Sequence, residues 1–176
     1  MKILAFAGSN ADSSINKKLV TYASKFLDQH TIEFLDLNDY EMPIYKIERE
    51  AQHGLPKLAY DFAEKIDESD FILLSLAEYN GAYSVAFKNV FDWVSRIPGR
   101  TCFGDKPMFL LATSPGKMGG ATVLGIAEKR FGFNGGKVLD TFSLPFFYEN
   151  FDEEKGITNE EKLAELKGKL ENLPLS

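Results

Sequence analysis

Three polar, glycine-bearing stretches hold the residues best equipped for chemistry. The first, Gly8-Ser9-Asn10-Ala11-Asp12-Ser13-Ser14-Ile15-Asn16, follows a short apolar run and ends where helical periodicity begins. Its hydroxyls and amides, at Ser9, Asn10, Ser13, Ser14 and Asn16, combined with the unshared N–H groups and positive dipole end of a helix, suit a phosphate monoester. The same residues are equally good helix caps, so this loop alone divides evenly between the two roles. It is neither a G-x-G-x-x-G fingerprint nor a Walker A sequence. The second stretch, Glu78-Tyr79-Asn80-Gly81-Ala82-Tyr83, comes straight after Ala77, at the end of the most apolar segment of the chain. A glycine beside an aromatic and an Asn allows the backbone to bend close to a flat ligand, although an ordinary turn has the same composition. The third, Ser114-Pro115-Gly116-Lys117-Met118-Gly119-Gly120, adds further glycines that permit close backbone approach. Together on one edge of a sheet, such loops point to a shared ligand with a phosphate at one end and a planar polar ring at the other.

That placement depends on the elements between the loops. Lys2 to Ala7 is a nearly unbroken apolar run of strand length, as in a strand covered on both faces. Ile15, Leu19, Tyr22, Ala23, Phe26 and Leu27 fall along one helical stripe. Thr31 to Leu37 reads as a second strand, Asn38 to Gly54 as irregular, and Leu55, Leu58, Ala59, Phe62, Ala63 and Ile66 as another helical face. Asp70 to Ala77 predicts a buried strand, Phe87, Val90, Phe91 and Val94 a helix, Pro107 to Thr113 a strand, Ala121 to Phe131 a helix, and Lys137 to Leu144 a last strand. Leu163, Leu166, Leu170 and Leu173 predict a closing helix, with Thr158 and Glu161 at capping-box spacing. Alternating strands and helices imply an α/β fold of right-handed βαβ units. The simplest arrangement is a five-stranded parallel sheet in the flavodoxin-like order 2-1-3-4-5, with helices on both faces and ligand loops at the carboxyl ends of the strands. No repeat, low-complexity tract or linker appears, so residues 1–176 are expected to form one domain.

Composition narrows the function. A net charge of −6 without a basic cluster disfavours nucleic acid. No apolar stretch approaches the roughly 20 residues of a membrane span. The first apolar run reaches Gly8 and Ser9 too early for a signal-peptide core, and the lone Cys102 excludes an internal disulfide, so a cytoplasmic protein is expected.

The same residues resemble the NADPH-dependent FMN reductase family, a flavodoxin-like group that includes quinone, azo and chromate reductases. The resemblance is collinear: GSNADSSIN in the first loop, MPIY at Met42 to Tyr45, EYNGAYSVAFKNVFDW at Glu78 to Trp93, KPMFLLATSPGKMGG at Lys106 to Gly120, and FDEEKGITNEE at Phe151 to Glu161. It implies that Ser9, Asn10, Ser14, Ile15 and Asn16 surround an FMN phosphate. Ala77, Glu78, Tyr79, Asn80 and Gly81 would line the ribityl and isoalloxazine, and Ser114, Pro115, Gly116, Gly119 and Gly120 would border the ring from the other side. It also implies NADPH or NADH as reductant, a small acceptor such as a flavin or quinone, and a homodimer or homotetramer. No protein acid or base is required, since the cofactor carries the chemistry. The family's usual Arg in the phosphate loop is Asn10 here, its Pro before Glu-Tyr-Asn is Ala77, and its Pro-Gly is Ser84-Val85. A charge-assisted hydrogen bond is worth about 1.5 to 3 kcal/mol, so the first change predicts looser FMN unless Lys17 or Lys18 supplies the charge.

Other reactive residues fit bland roles. His30 and His53 lack partners at metal-ligand spacing. Arg100 beside Cys102 would lower the thiol's pKa, yet a passive thiol is the better reading. Trp93 is assigned to packing or a subunit contact, and the cluster Phe146, Phe147, Tyr148 and Phe151 to local packing, an interface, or cover over the flavin. Two rival functions remain: a flavodoxin-type electron carrier, and a flavin-free binding or regulatory module.

Overall fold

The computed structural model describes residues 1–175. The main elements are β1 (Lys2–Gly8), α1 (Ile15–Ser24), β2 (Thr31–Leu35), α2 (Ile47–His53), α3 (Lys57–Asp67) and β3 (Phe71–Leu76). A short hairpin, β4 (Glu78–Tyr79) and β5 (Ala82–Tyr83), precedes α4 (Val85–Val94), β6 (Pro107–Thr113), α5 (Ala121–Phe131) and β7 (Lys137–Leu144). The one-turn α6 (Phe147–Asn150), a second hairpin of β8 (Phe151–Asp152) and β9 (Gly156–Ile157), and α7 (Glu160–Glu171) complete the order.

Five strands pair in parallel in the order β2-β1-β3-β6-β7, which is the expected 2-1-3-4-5 once the two hairpins are set aside. Side chains alternate across the sheet because a strand has a two-residue period. Leu4, Phe6, Ile72, Leu74, Met108 and Leu110 pack under α3, α4 and α5, while Ile3, Ala5, Leu73, Phe109 and Leu111 pack under α1 and α7. Burial of both faces explains why these strands read as continuous apolar runs.

Four local expectations need correction. The second strand stops at Leu35, because Asp36 accepts from the Asn38 N–H and caps a 3-10 turn over Leu37–Tyr40. The segment read as irregular contains α2, which buries none of its side chains and so carries no core-facing signature. The closing helix is capped by Asn159, whose side-chain Oδ1 accepts from Lys162 N, in place of the Thr158–Glu161 box. The hairpins were hidden because each strand is only two residues long. No helix among the described residues is long and apolar enough to cross a membrane.

Candidate functional site

The loop after β1 is tied down by its own hydroxyls. Ser14 adopts extended backbone as N-cap of α1, and its Oγ accepts from Lys17 N at 3.2 Å. Ser9 Oγ accepts from Ala11 N at 3.2 Å. Both hydroxyls keep a hydrogen to donate. Helix geometry leaves the first N–H groups without intrahelical acceptors, and among the described residues nothing accepts from Ile15 N or Asn16 N. The Asn16 side chain has a different task. It is buried, its Oδ1 accepts from Ser75 Oγ at 2.8 Å and from Thr113 N at 3.0 Å, and its Nδ2 donates to Thr113 O at 3.3 Å. It locks the start of α1 to the ends of β3 and β6, and its backbone N–H is left without an acceptor among the described residues.

The second loop is the β4–β5 hairpin. Asn80 and Gly81 lie at φ 52° and φ 74°, the positive-φ pair of a type I′ hairpin, for which Asn-Gly is the preferred sequence. Glu78 reaches across to α5, where its Oε2 accepts from Val123 N at 3.0 Å. The α5 N-cap is Gly120, which has no side chain, so the Glu78 carboxylate meets both the orphan N–H and the positive helix end. Ser84 accounts for one departure from the family pattern. Its Oγ donates to Gly8 O at 2.7 Å and accepts from Phe87 N at 3.1 Å, tying the hairpin to β1 and capping α4, which a proline side chain cannot do.

The third loop needs its glycines for internal packing. Gly119 and Gly120 lie at φ 56° and 78°; a Cβ would sit 2.5 Å from Ser143 Oγ at the first and 2.5 Å from the Ala112 Cβ at the second. The loop is held from outside by the turn after β7, where Phe146 N donates to Gly116 O at 3.0 Å and Phe147 N to Ser114 O at 3.1 Å.

These loops converge. A cleft of about 230 Å³ is lined by Ser9, Ser14, Ile15 and Asn16 from the first loop, Ala77, Glu78 and Tyr79 from the second, and Ser114 and Pro115 from the third. Asn10 and Asn80 face a second cleft of about 470 Å³, which shares Tyr79 and extends over Met42, Ile44 and Val85. Gly81 packs near Thr122, while Gly116, Gly119 and Gly120 shape the third loop without lining either cleft. Sequence reading gave Ala11 and Thr113 in the smaller cleft no role, offered cover over the flavin as one of three roles for the cluster holding Tyr148, and did not single out the floor of the larger cleft as part of the site. That floor is the MPIY segment, fastened to α4: Asn89 Nδ2 donates to Met42 O at 2.9 Å, Asn89 Oδ1 accepts from Tyr45 N at 2.8 Å, and Trp93 Nε1 donates to Pro43 O at 2.7 Å. Trp93 is fully buried in this packing and does not present itself at a surface.

Neither cleft lining contains Lys or Arg; each has one acid, Glu78 or Glu41. Lys17 and Lys18 line neither cleft and pair at the surface with Asp36 and Glu153. Cys102 lies away from both clefts, and burial pushes its thiol up to about 12, overriding the opposing influence of Arg100. The smaller cleft nevertheless fits a phosphate monoester: serine hydroxyls, unshared N–H groups and a helix N-terminus meet in one concavity.

Comparison with known proteins fixes the lineage. The family model described as NADPH-dependent FMN reductase matches residues 1–149. The chain belongs to that family. Relatives of this chain include a 2-hydroxy-1,4-benzoquinone reductase from Burkholderia sp, 31% identical over 122 residues covering 69% of this chain and 64% of that protein. An NADPH:quinone oxidoreductase from Arabidopsis thaliana is 30% identical over 124 residues, covering 68% of this chain and 61% of its own. The chain thus spans slightly less than two thirds of each of these reductases. Among solved structures, FerB, a flavoenzyme NAD(P)H:(acceptor) oxidoreductase from Paracoccus denitrificans, superposes with a TM-score of 0.76 at 25% identity, covering 97% of this chain and 93% of FerB.

Proposed function

We propose that this protein is an FMN-dependent NAD(P)H oxidoreductase that reduces a small acceptor such as a quinone or free flavin. The observation that carries this reading is the cleft where three loops meet at the start of α1, with Ser9, Ser14 and the N–H groups of Ile15 and Asn16 gathered in its wall. Those groups bind the phosphate. The backbone of Ala77 to Asn80 and of Ser114 and Pro115 would hold the ribityl and isoalloxazine, with Gly81 and Gly116 shaping the turns behind them. When bound, FMN supplies the redox chemistry, accepting hydride from NAD(P)H and passing reducing equivalents to the acceptor. The protein's contribution is orientation: Asn16 fixes the phosphate loop to the sheet, Glu78 fixes the hairpin to α5, and Asn89 with Trp93 fixes the floor of the adjoining cleft, where the planar partner lies. Exposed Ile44, Tyr79 and Val85 around that cleft fit a homodimer or homotetramer, as family membership leads one to expect.

Steady-state oxidation of NADH and NADPH with benzoquinone as acceptor tests the proposal. Turnover that requires FMN and disappears from flavin-stripped protein supports it. Binding of FMN without reduction by either nucleotide would overturn it in favour of an electron carrier.

A further inference from the structure

The wall of the smaller cleft includes one side chain that belongs to none of the three loops, Tyr148. It lies on α6, beyond the last strand of the sheet, in the aromatic stretch that composition alone could not assign. The turn carrying it is firmly held. Phe146 is placed at φ 49°, its N–H and that of Phe147 are given to the carbonyls of Gly116 and Ser114, and Asn150 Nδ2 donates to Pro145 O at 2.9 Å. Beneath it, Phe147 is buried, stacked on Phe151 with ring centroids 4.7 Å apart, and meets the Tyr148 ring edge-on at 5.6 Å. Two neighbouring aromatics thus anchor the turn, yet Tyr148 is left 72% exposed. Among the described residues its hydroxyl has no hydrogen-bond partner. Local packing therefore accounts for Phe147 and Phe151 but not for Tyr148.

The chemistry of the cleft gives Tyr148 a role. Its lining has no Lys or Arg; besides Tyr148 its donors are serine hydroxyls, the Tyr79 phenol and backbone N–H groups, while Asn16 Nδ2 and Thr113 Oγ1 already donate to the carbonyls of Thr113 and Leu144. The one charged side chain in the lining is Glu78, whose carboxylate is engaged by the Val123 N–H of α5, so a phenol at the rim adds a neutral donor to an anion site that has no cation, and it comes from a different part of the chain than the loop in which the family places its Arg. We infer that Tyr148 is a ligand of the flavin phosphate, closing the cleft from the α6 side and selecting FMN over riboflavin. This rests on the proposed FMN site.

The test is a pair of fluorescence-quenching titrations, with FMN and with riboflavin, on wild-type protein, Tyr148→Phe and Tyr148→Ala, with circular dichroism to verify folding. A hydrogen bond to a charged group predicts that Tyr148→Phe weakens FMN about tenfold and leaves riboflavin unchanged. Loss confined to Tyr148→Ala and equal for both ligands would overturn the inference, since the ring would then be cover over the flavin and not a phosphate donor. An unchanged FMN affinity in both variants would overturn it as well. Wild-type protein that binds FMN no better than riboflavin would instead refute the phosphate site itself, which separates the two failures.

Discussion

Replacing Asn16 with Ala probes the joint that sets the phosphate loop against the sheet. In the wild type one amide oxygen accepts from Ser75 Oγ at 2.8 Å and Thr113 N at 3.0 Å, and both donors are essentially inaccessible, at 0% and 1% exposure. Truncation leaves two buried donors unpaired, each costing about 1 to 3 kcal/mol, so the loss should total about 2 to 6 kcal/mol. For a domain of this length each kcal/mol moves the melting midpoint by roughly 2 to 4 °C, which places the shift at about 4 to 24 °C. Urea denaturation followed by circular dichroism gives the free energy directly, and calorimetry gives the midpoint. Because Ser75 has no apolar reason to occupy a buried strand, adding Ser75→Ala to the Asn16→Ala protein should recover roughly 1 kcal/mol of the loss. A single-variant loss under about 1 kcal/mol, or a double variant destabilised by the full sum of both, would refute the network as the anchor of the loop.

Three further outcomes follow from named contacts. Glu78→Ala removes the cap of α5 and should cost about 1 to 2 kcal/mol while weakening FMN, whereas Glu78→Gln keeps an acceptor and should recover most of both; equal losses in urea melts and FMN titrations would contradict this. The Tyr83 hydroxyl is buried against aromatic rings without a partner among the described residues, and burial raises it to about 12, so Tyr83→Phe should stabilise the protein by about 1 kcal/mol, and a destabilised variant would show that the hydroxyl is satisfied. Glu33 Oε2 and Oε1 lie 2.8 Å from the ammonium groups of Lys2 and Lys65, and these two positive charges hold its carboxyl below the ordinary range. A lowered folded-state pKa contributes stability above the unfolded value of about 4.3 that is lost as pH falls through the folded value. The melting midpoint of Glu33→Gln should therefore lie below wild type at neutral pH and converge with it in acid, and a gap that persists below pH ~3 would count against the ion pairs.

The sheet was legible because both its faces are buried: runs such as FILLSL at Phe71–Leu76 and PMFLLAT at Pro107–Thr113 leave little alternative to parallel strands. What stayed hidden was either too short for periodicity, like the two hairpins, or without a buried face, like α2. The site was legible by loop, not by residue. The types of Ser9, Ser14 and Asn16 singled out the loop after β1, which lines the smaller cleft, but only three dimensions show that the Asn16 side chain is engaged by the sheet. Likewise Asn80, Gly81, Gly119 and Gly120 are explained by turn geometry and internal clearance, which spacing cannot separate from ligand approach. Tyr148 was visible as part of an aromatic excess, yet its place in the cleft depends on the turn at Phe146, a long-range arrangement that no local pattern encodes.

The central claim is that the cleft at the start of α1 binds FMN for reduction by nicotinamide. Anaerobic visible spectroscopy of the protein mixed with one equivalent of FMN, before and after NADH or NADPH, tests it most directly. The account predicts a perturbed flavin spectrum that bleaches on adding reduced nucleotide. A spectrum identical to that of free FMN, unchanged by either nucleotide, would contradict it.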